Sequence, residues 1–452
     1  MPLTPRTRAS PNEPRSVALV ALAVKPVVIP ALVLLLSVSA AIGLTEFDAR
    51  TGFKLTDRWP RLFGASAAAS RDILSAIATS MITVAGVVFS TTIVALSLAA
   101  SQYSPRVLAS FSNDRFIQLV MGVFVGVFMY CLLVLRTVRG EDTGDFVPSI
   151  AIMGGILYAI AAVVLLIFYI HHVANSIQAS AIVEHIADDA ERALERLFPA
   201  SVGHPAHEGT NSAAAPLPSI WTIGYAAKRD GYLRYVDTDR LLRCAAETGR
   251  VLRLPVHIGE FVTQGTPMVM VSGTEPVKEA LVKHLQGGVT LGRQRTVEQD
   301  PGYGLQQLAD IAVKALSPGI NDPTTATLCV DRLGALMRRV ARRPMPETCR
   351  FSEGVLRVVA PVPAFAALVQ TGLSPIIRHS RGDVQVLAAV LQAMRTIARD
   401  TAQYHDRKRS LANIARQVTH QLQLVRPYRS GALVRRQARL LERLLERGAT
   451  DL

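Results

Sequence analysis

The sequence predicts a membrane domain of four α-helices joined to a cytoplasmic α+β region that ends in helices, and three observations predict it. Half of the 452 residues are apolar although the chain carries a formal net charge of +14. The two properties are segregated, for the long uncharged runs all precede His172 and most ionisable side chains follow it. Four of those runs approach the ~20 residues a helix needs to cross the hydrocarbon core, where every backbone amide must be satisfied within the chain. The resulting division is a tail (residues 1–16), a four-helix membrane domain (17–171), a helical stalk (172–198), a linker (199–220), a β module (221–275) and a mainly helical domain (276–452).

The first run covers residues 17–44 and is interrupted by Lys25 and Pro26. Its uncharged part, residues 27–44, is nearly long enough alone, and the Lys25 ammonium can snorkel into the interface along its alkyl stem. Arg6, Arg8 and Arg15 precede it, and Ser37-Val38-Ser39 supplies the small residues of a cleaved signal peptide, the competing reading. The run is long for a signal core and further spans follow, so it is read as an uncleaved anchor. Residues 73–100, 116–135 and 150–170 contain no charged side chain and form the other spans. No Asp, Glu, Arg or His stands in the middle of any span, so a charged relay for a proton-coupled pump is not visible.

Orientation follows from the links. The tail is basic, and residues 101–115 carry Arg106 and Arg115 against Asp114 alone, whereas Glu141-Asp142-Thr143-Gly144-Asp145 on the opposite side is acidic. The positive-inside rule places both termini and the soluble region in the cytoplasm. The first link opposes this with Arg50, Lys54, Arg58, Arg61 and Arg71, nearly balanced by Glu46, Asp48, Asp57 and Asp72. With basic cytoplasmic segments explained by topology and anionic lipid, the net charge does not call for nucleic acid.

Within the second span, Thr79, Thr83, Gly86, Ser90, Ser97 and Ser101 recur at helical steps and form one small, weakly polar face that only Val94 interrupts. Small residues let helices approach closely in lipid, where packing drives association, so a helix–helix contact is one reading. The other is a stripe lining a polar conduit in a homo-oligomer, where hydroxyls replace a solute's hydration.

After the fourth span, residues 171–198 lack Gly and Pro, and Val183, Ile186, Ala190, Leu194 and Leu197 keep a helical stripe, predicting a continuous stalk. Its acids, with His185 and Asp189 one turn apart, read as a solvated face rather than a metal site. Residues 199–219 are rich in Pro, Ala, Gly and Ser and read as a linker. From Trp221 the pattern turns short and β-like, with a helix predicted over residues 238–247. Residues 249–271, punctuated by Gly249, Gly259 and Gly265, resemble one half of a biotinyl or lipoyl barrel-sandwich. No lysine lies between Gly249 and Pro276 to carry a prosthetic group, so a structural module without cofactor is expected.

A turn-rich stretch, residues 292–304, leads into a helix predicted over residues 305–316, and Ser317-Pro318-Gly319-Ile320-Asn321-Asp322-Pro323 breaks it. Asp322 is a good N-cap and Pro323 a good first residue for a helix reaching about Val340. Free amides there, beside Asn321, Thr324 and Thr325 and near Arg293, Arg295 and Lys314 if the helices fold back, would hold a phosphate or carboxylate. Capping alone accounts for the motif equally well. Two runs, Val88-Phe89-Ser90-Thr91-Thr92-Ile93-Val94-Ala95-Leu96-Ser97-Leu98-Ala99-Ala100-Ser101-Gln102-Tyr103-Ser104-Pro105-Arg106 and Ala315-Leu316-Ser317-Pro318-Gly319-Ile320-Asn321-Asp322-Pro323, resemble the bacterial family of predicted membrane proteins labelled DUF2254. The resemblance implies the bacterial cytoplasmic membrane and transfers no activity residue by residue.

The remainder predicts a strand over residues 354–360 and amphipathic helices over 364–378, 384–400, 407–424 and 433–447. In the last, Leu433, Leu440, Leu441, Leu444 and Leu445 oppose Arg435, Arg436, Arg439, Arg443 and Arg447, which suits packing on the domain or rest on anionic lipid. His379, His405 and His420 are scattered, Cys131, Cys244, Cys329 and Cys349 show no CxxC spacing, and no Ser-His-Asp, P-loop or GxGxxG pattern stands out. The expectation is a non-enzymatic homo-oligomer in the bilayer, acting as a channel or transport-like protein. The alternative is a membrane-anchored sensor or scaffold for an anionic small molecule.

Overall fold

The structure, a computed structural model, describes residues 27–51, 66–102, 114–139, 146–176, 178–197, 217–352, 354–401, 404–423 and 429–447. The basic tail, Lys25 and Pro26, most of the first link, residues 103–113, the acidic link at 141–145 and linker residues 199–216 lie outside the described residues. The chain divides into two compact units, one running to Gln178 and one from Ala179.

The first unit contains α1 (Val28–Thr51), α2 (Ala67–Gln102), α3 (Arg115–Thr137) and α4 (Ser149–Ser176), each long and apolar enough to cross a membrane. Helix α3 is the core of the bundle. Val120, Phe124, Val127, Cys131 and Val134, spaced at alternating steps of four and three, are fully buried. Its closest neighbour is α1, and the cause is a pair of glycines one turn apart. A Cβ on Gly122 would lie 2.9 Å from Pro30 Cα, and one on Gly126 2.5 Å from Ser37 Oγ. Only the small-xxx-small spacing lets the two backbones approach this closely, and in lipid such packing holds helices together.

The helix ends are tied across the bundle. Asp114 N-caps α3 by accepting from the Phe116 amide at 2.8 Å, and its other carboxylate oxygen lies 2.7 Å from His172 Nε2 near the end of α4. At the opposite end, Arg71 near the start of α2 donates to the carbonyl of Val138 at 2.9 Å. Asp48, in the last turns of α1, accepts from the amides of Ile150 and Ala151, each at 3.0 Å. These pairings join chain ends in the order that four alternately directed helices require.

The second unit begins with α5 (Ala179–Leu197). Where a continuous stalk is expected over residues 172–198, α4 ends at Ser176 and α5, starting at Ala179, belongs to the second unit. Its apolar stripe explains the difference: Val183, Ile186, Ala190 and Leu194 are buried against α8 (Pro301–Ala315) and α9 (Pro323–Arg342). Helix α8 starts at Pro301, earlier than the turn-rich sequence suggests, with Asp300 as N-cap. Gly304 sits where a Cβ would meet the Ala190 Cβ at 2.6 Å, so this glycine serves helix contact rather than a turn.

Strands β1 (Trp221–Ala226), β2 (Gly231–Val236), β3 (Leu252–Arg253), β4 (Phe261–Val262) and β5 (Pro267–Ser272) enclose helix α6 (Thr238–Thr248) in sequence. They do not close as a module at residue 275. Helix α7 (Glu279–Gly287) and β6 (Val289–Gly292) follow, and β7 (Cys349–Ser352) and β8 (Val355–Val359) return after α9. The sheets run β1-β5-β3-β8-β7 and β4-β2-β6, with β3 and β8 parallel. The half barrel-sandwich reading therefore finds no support, since both sheets take a strand from beyond the expected boundary. Burial of Leu233, Leu252, Met268, Val269 and Val271 with Leu285 and Val358 selects those distant partners.

The unit is completed by α10 (Phe365–His379), α11 (Val384–Ala398), α12 (His405–Gln423) and α13 (Arg429–Arg447). Helix α13 buries Val434, Ala438, Leu441 and Leu445, and Arg435 donates to the carbonyl of Leu422 at 3.0 Å, so its apolar side packs within the domain.

Candidate functional site

The small face of α2 is exposed. Thr79, Thr83, Gly86, Ser90, Ser97 and Ser101 all lie outside the core, whereas Leu74, Ala78, Met81, Ala85 and Val88 are buried against the bundle. At ~100° per residue the small face is centred ~150° around the helix from the packed one. Bulky exposed residues flank it, Ile82, Phe89 and Ile93 on one side and Val87, Val94 and Leu98 on the other, so the face is a shallow trough. A Cβ added at Gly86 would meet nothing within 4 Å. Two of its hydroxyls are returned to their own helix: Thr83 donates to the carbonyl of Thr79 and Ser101 to that of Leu98, both at 2.8 Å. Such back-bonding makes a hydroxylated face tolerable in lipid while leaving oxygen lone pairs outward.

Inside the bundle lie polar contacts that the periodicity does not single out. The Tyr158 hydroxyl is 2.8 Å from Ser37 Oγ, and Tyr130 donates to the carbonyl of Ala151 at 2.7 Å. Thr92 Oγ1 and the Tyr169 hydroxyl are 2.6 Å apart between α2 and α4. Gln118 Oε1 is buried without a partner among the described residues. The tyrosines are hidden in uncharged runs, where sequence gives them the same look as lipid-facing aromatics. The Gly122–Gly126 spacing was the readable clue to where the spans meet.

In the second unit the residues expected to converge on an anion fall into two groups, Arg293 and Arg295 before α8, and Lys314, Asn321, Thr324 and Thr325 around the turn from α8 into α9, where the Asp322 amide donates to the Ala315 carbonyl at 2.9 Å. Arg295 binds the buried Asp300 through Nε and Nη2 at 2.9 and 2.7 Å, donates to Gln306 Oε1 at 2.9 Å, and lies 4.8 Å from the Tyr303 ring centroid. It thus braces the start of α8. Lys314 is exposed in the last turn of the same 15-residue helix, ~20 Å away at 1.5 Å per residue. Arg293 is exposed on the loop after β6. Asn321 takes a left-handed φ of 49°, which turns the chain into α9. There Asp322 itself occupies the helix terminus, accepting from the Thr325 amide at 3.0 Å and from the Thr325 hydroxyl, while Thr324 is exposed. The hydroxyl and amide donors hold the Asp322 carboxyl below the usual carboxylate range. The amides offered to a foreign anion are thus engaged by the chain's own carboxylate.

His185 and Asp189 form an i,i+4 pair at 3.7 Å, and Asp189 also binds Arg192. Among the described residues, no group of three or more His, Cys, Asp or Glu side chains is placed to hold a metal ion.

Four membrane-length helices with cross-bundle caps, followed by a compact α+β unit, define a membrane protein with multiple apolar helices. The chain belongs to the family described as predicted membrane protein DUF2254, whose model matches residues 25–396. Uncharacterized proteins of Mycobacterium bovis and Mycobacterium tuberculosis are each 32% identical to it over 341 residues, 73% of this chain. The match covers 64% of the length of those relatives. No solved structure matches the chain.

Proposed function

We propose that the protein is a homo-oligomeric channel or transport-like protein of the bacterial cytoplasmic membrane, with α2 of each copy turned toward a shared axis and both termini in the cytoplasm. The observation that supports this is the outward trough of Thr79, Thr83, Gly86, Ser90, Ser97 and Ser101, exposed among the described residues although Leu74, Ala78, Met81, Ala85 and Val88 on the opposite face of α2 are buried. A helix facing lipid alone has no use for six small or hydroxylated positions in register; neighbouring copies use them for close approach, and a solute uses their oxygens in place of water. The soluble unit then regulates or stabilises the assembly, without catalysis or a bound cofactor.

The test is flux in liposomes containing the full chain. Potassium, chloride or a small neutral solute should pass, and Ser90→Leu should reduce passage about tenfold by filling the trough, whereas Ile82→Leu on its rim should not. No flux of any of the three, or flux indifferent to Ser90→Leu, counts against the reading. The alternative of an anionic-ligand sensor loses support at Asn321, where Asp322 caps the helix, and gains it on another face of the soluble unit.

A further inference from the structure

Helices α9 and α11 cross at Gly334, where a Cβ would lie 2.8 Å from the Cβ of Ala393. Beside this contact the pair opens into a groove of about 380 Å³ lined by Asp331, Arg338, Arg339, Arg342, Gln392 and Thr396. That size lies within the range of small-molecule sites, roughly 300–1,000 Å³. Three guanidiniums share one short wall because residues 335, 338 and 342 recur on one face of α9, with Arg339 at its edge. Such crowding of like charge needs a counter-anion.

The chain supplies the charge, through Asp331 in the lining and Asp400 and Glu191 beside it, but leaves hydrogen-bond donors over. Arg338 and Arg342 both reach the same oxygen of Asp400, through Nε at 2.7 and 3.0 Å, and Arg339 pairs with Glu191 of α5 through Nη1. A guanidinium has five N–H donors, and each of these pairs uses one. Arg338 and Arg342 keep their Nη groups, the fork that matches phosphate, without another partner among the described residues. All three arginine side chains are more than two-fifths exposed, so a ligand can reach them. Burial raises the Asp400 carboxyl, and the two guanidiniums outweigh it, so the group is held below the usual carboxylate range.

We infer that this groove binds a phosphate-bearing ligand through Arg338, Arg339 and Arg342, with Gln392 and Thr396 contacting its uncharged part and Asp400 standing in for the phosphate when the groove is empty. Bidentate Arg–phosphate pairs are stronger than the single contacts they replace. The inference deepens the sensor reading and does not depend on the conduit, because flux and ligand binding are measured separately. A free phosphate compound and a phospholipid headgroup present the same chemistry.

Full-length protein in detergent is titrated at constant ionic strength with inorganic pyrophosphate and, separately, with dihexanoyl phosphatidic acid, using dihexanoyl phosphatidylcholine as the zwitterionic control. Thermal unfolding and calorimetry follow binding. We expect a saturable shift that R338Q/R342Q abolishes and that Arg293→Gln leaves intact. Asp400→Asn should tighten the affinity about tenfold by removing the competing carboxylate, a gain that misfolding cannot imitate. A stronger response to pyrophosphate assigns a soluble ligand and a stronger one to phosphatidic acid a lipid; either supports the groove. Silence with both, a shift that survives R338Q/R342Q, or no gain in Asp400→Asn overturns it.

Discussion

The Arg407 guanidinium is 1% exposed and faces carbonyl groups rather than a carboxylate. It donates to Ala341 at 2.7 Å, Arg343 at 2.9 Å and Val340 at 3.4 Å, which closes the end of α9, and it lies 3.6 Å from the Tyr404 ring centroid. The orphan carbonyls of a helix C-terminus carry partial negative charge, so a fixed cation there meets both their hydrogen-bonding need and their field. Burial lowers the basicity of the group, yet an arginine stays protonated. Arg407→Ala should therefore cost about 3 kcal/mol and lower the thermal midpoint of the full chain, from the lost charge-assisted bonds and the space left behind. Arg407→Lys should recover only a minor part, because a point charge cannot fork across three carbonyls. In the sequence this arginine stands in the run Asp406-Arg407-Lys408-Arg409 and looks like any solvated cation. Its role is set by the end of a helix distant in the chain, which local pattern does not convey.

At the scale of elements, residues that act through local geometry were legible. The spans, the Asp322-Pro323 helix start and the helices after residue 364 follow from apolar period and capping chemistry, which act within a few residues. Helix α7 and strands β6 and β7 were not. The short α7 packs through Leu285 on a sheet assembled from distant strands, so its signal lies in contacts rather than in period. The α3 glycines show the same limit: their spacing is plain, yet only the structure names α1 as the partner. Gly126→Leu should push Ser37 and Tyr158 apart and separate α1 from α3, with a thermal midpoint well below that of the parent. Gly86→Leu, which enters open space, should leave the protomer's helicity and midpoint unchanged.

For the whole molecule, that second substitution discriminates. If copies meet through α2, Gly86→Leu should shift the detergent-solubilised protein toward the monomer in light scattering, although the protomer itself is unharmed. An unchanged oligomer would place the interface elsewhere. Orientation has its own reporter. Burial pushes the Cys329 thiol up to about 12 and raises that of Cys244, and Cys131 is buried in the bundle, whereas Cys349 is half-buried. A membrane-impermeant maleimide should therefore spare intact cells and mark Cys349 once the membrane is opened, with Cys349→Ser removing the signal. Labelling of intact cells would reverse the proposed topology.

The carboxylate of Asp48 on the first amides of α4 has a consequence for biogenesis. A helix in the bilayer leaves the amides of its first turn uncapped, and for α4 the satisfying group belongs to a helix synthesised earlier. The Asp48 contact can therefore form only once the fourth helix of the bundle has been made. A pause in translation before residue 150 would leave Asp48 without the amides that answer it.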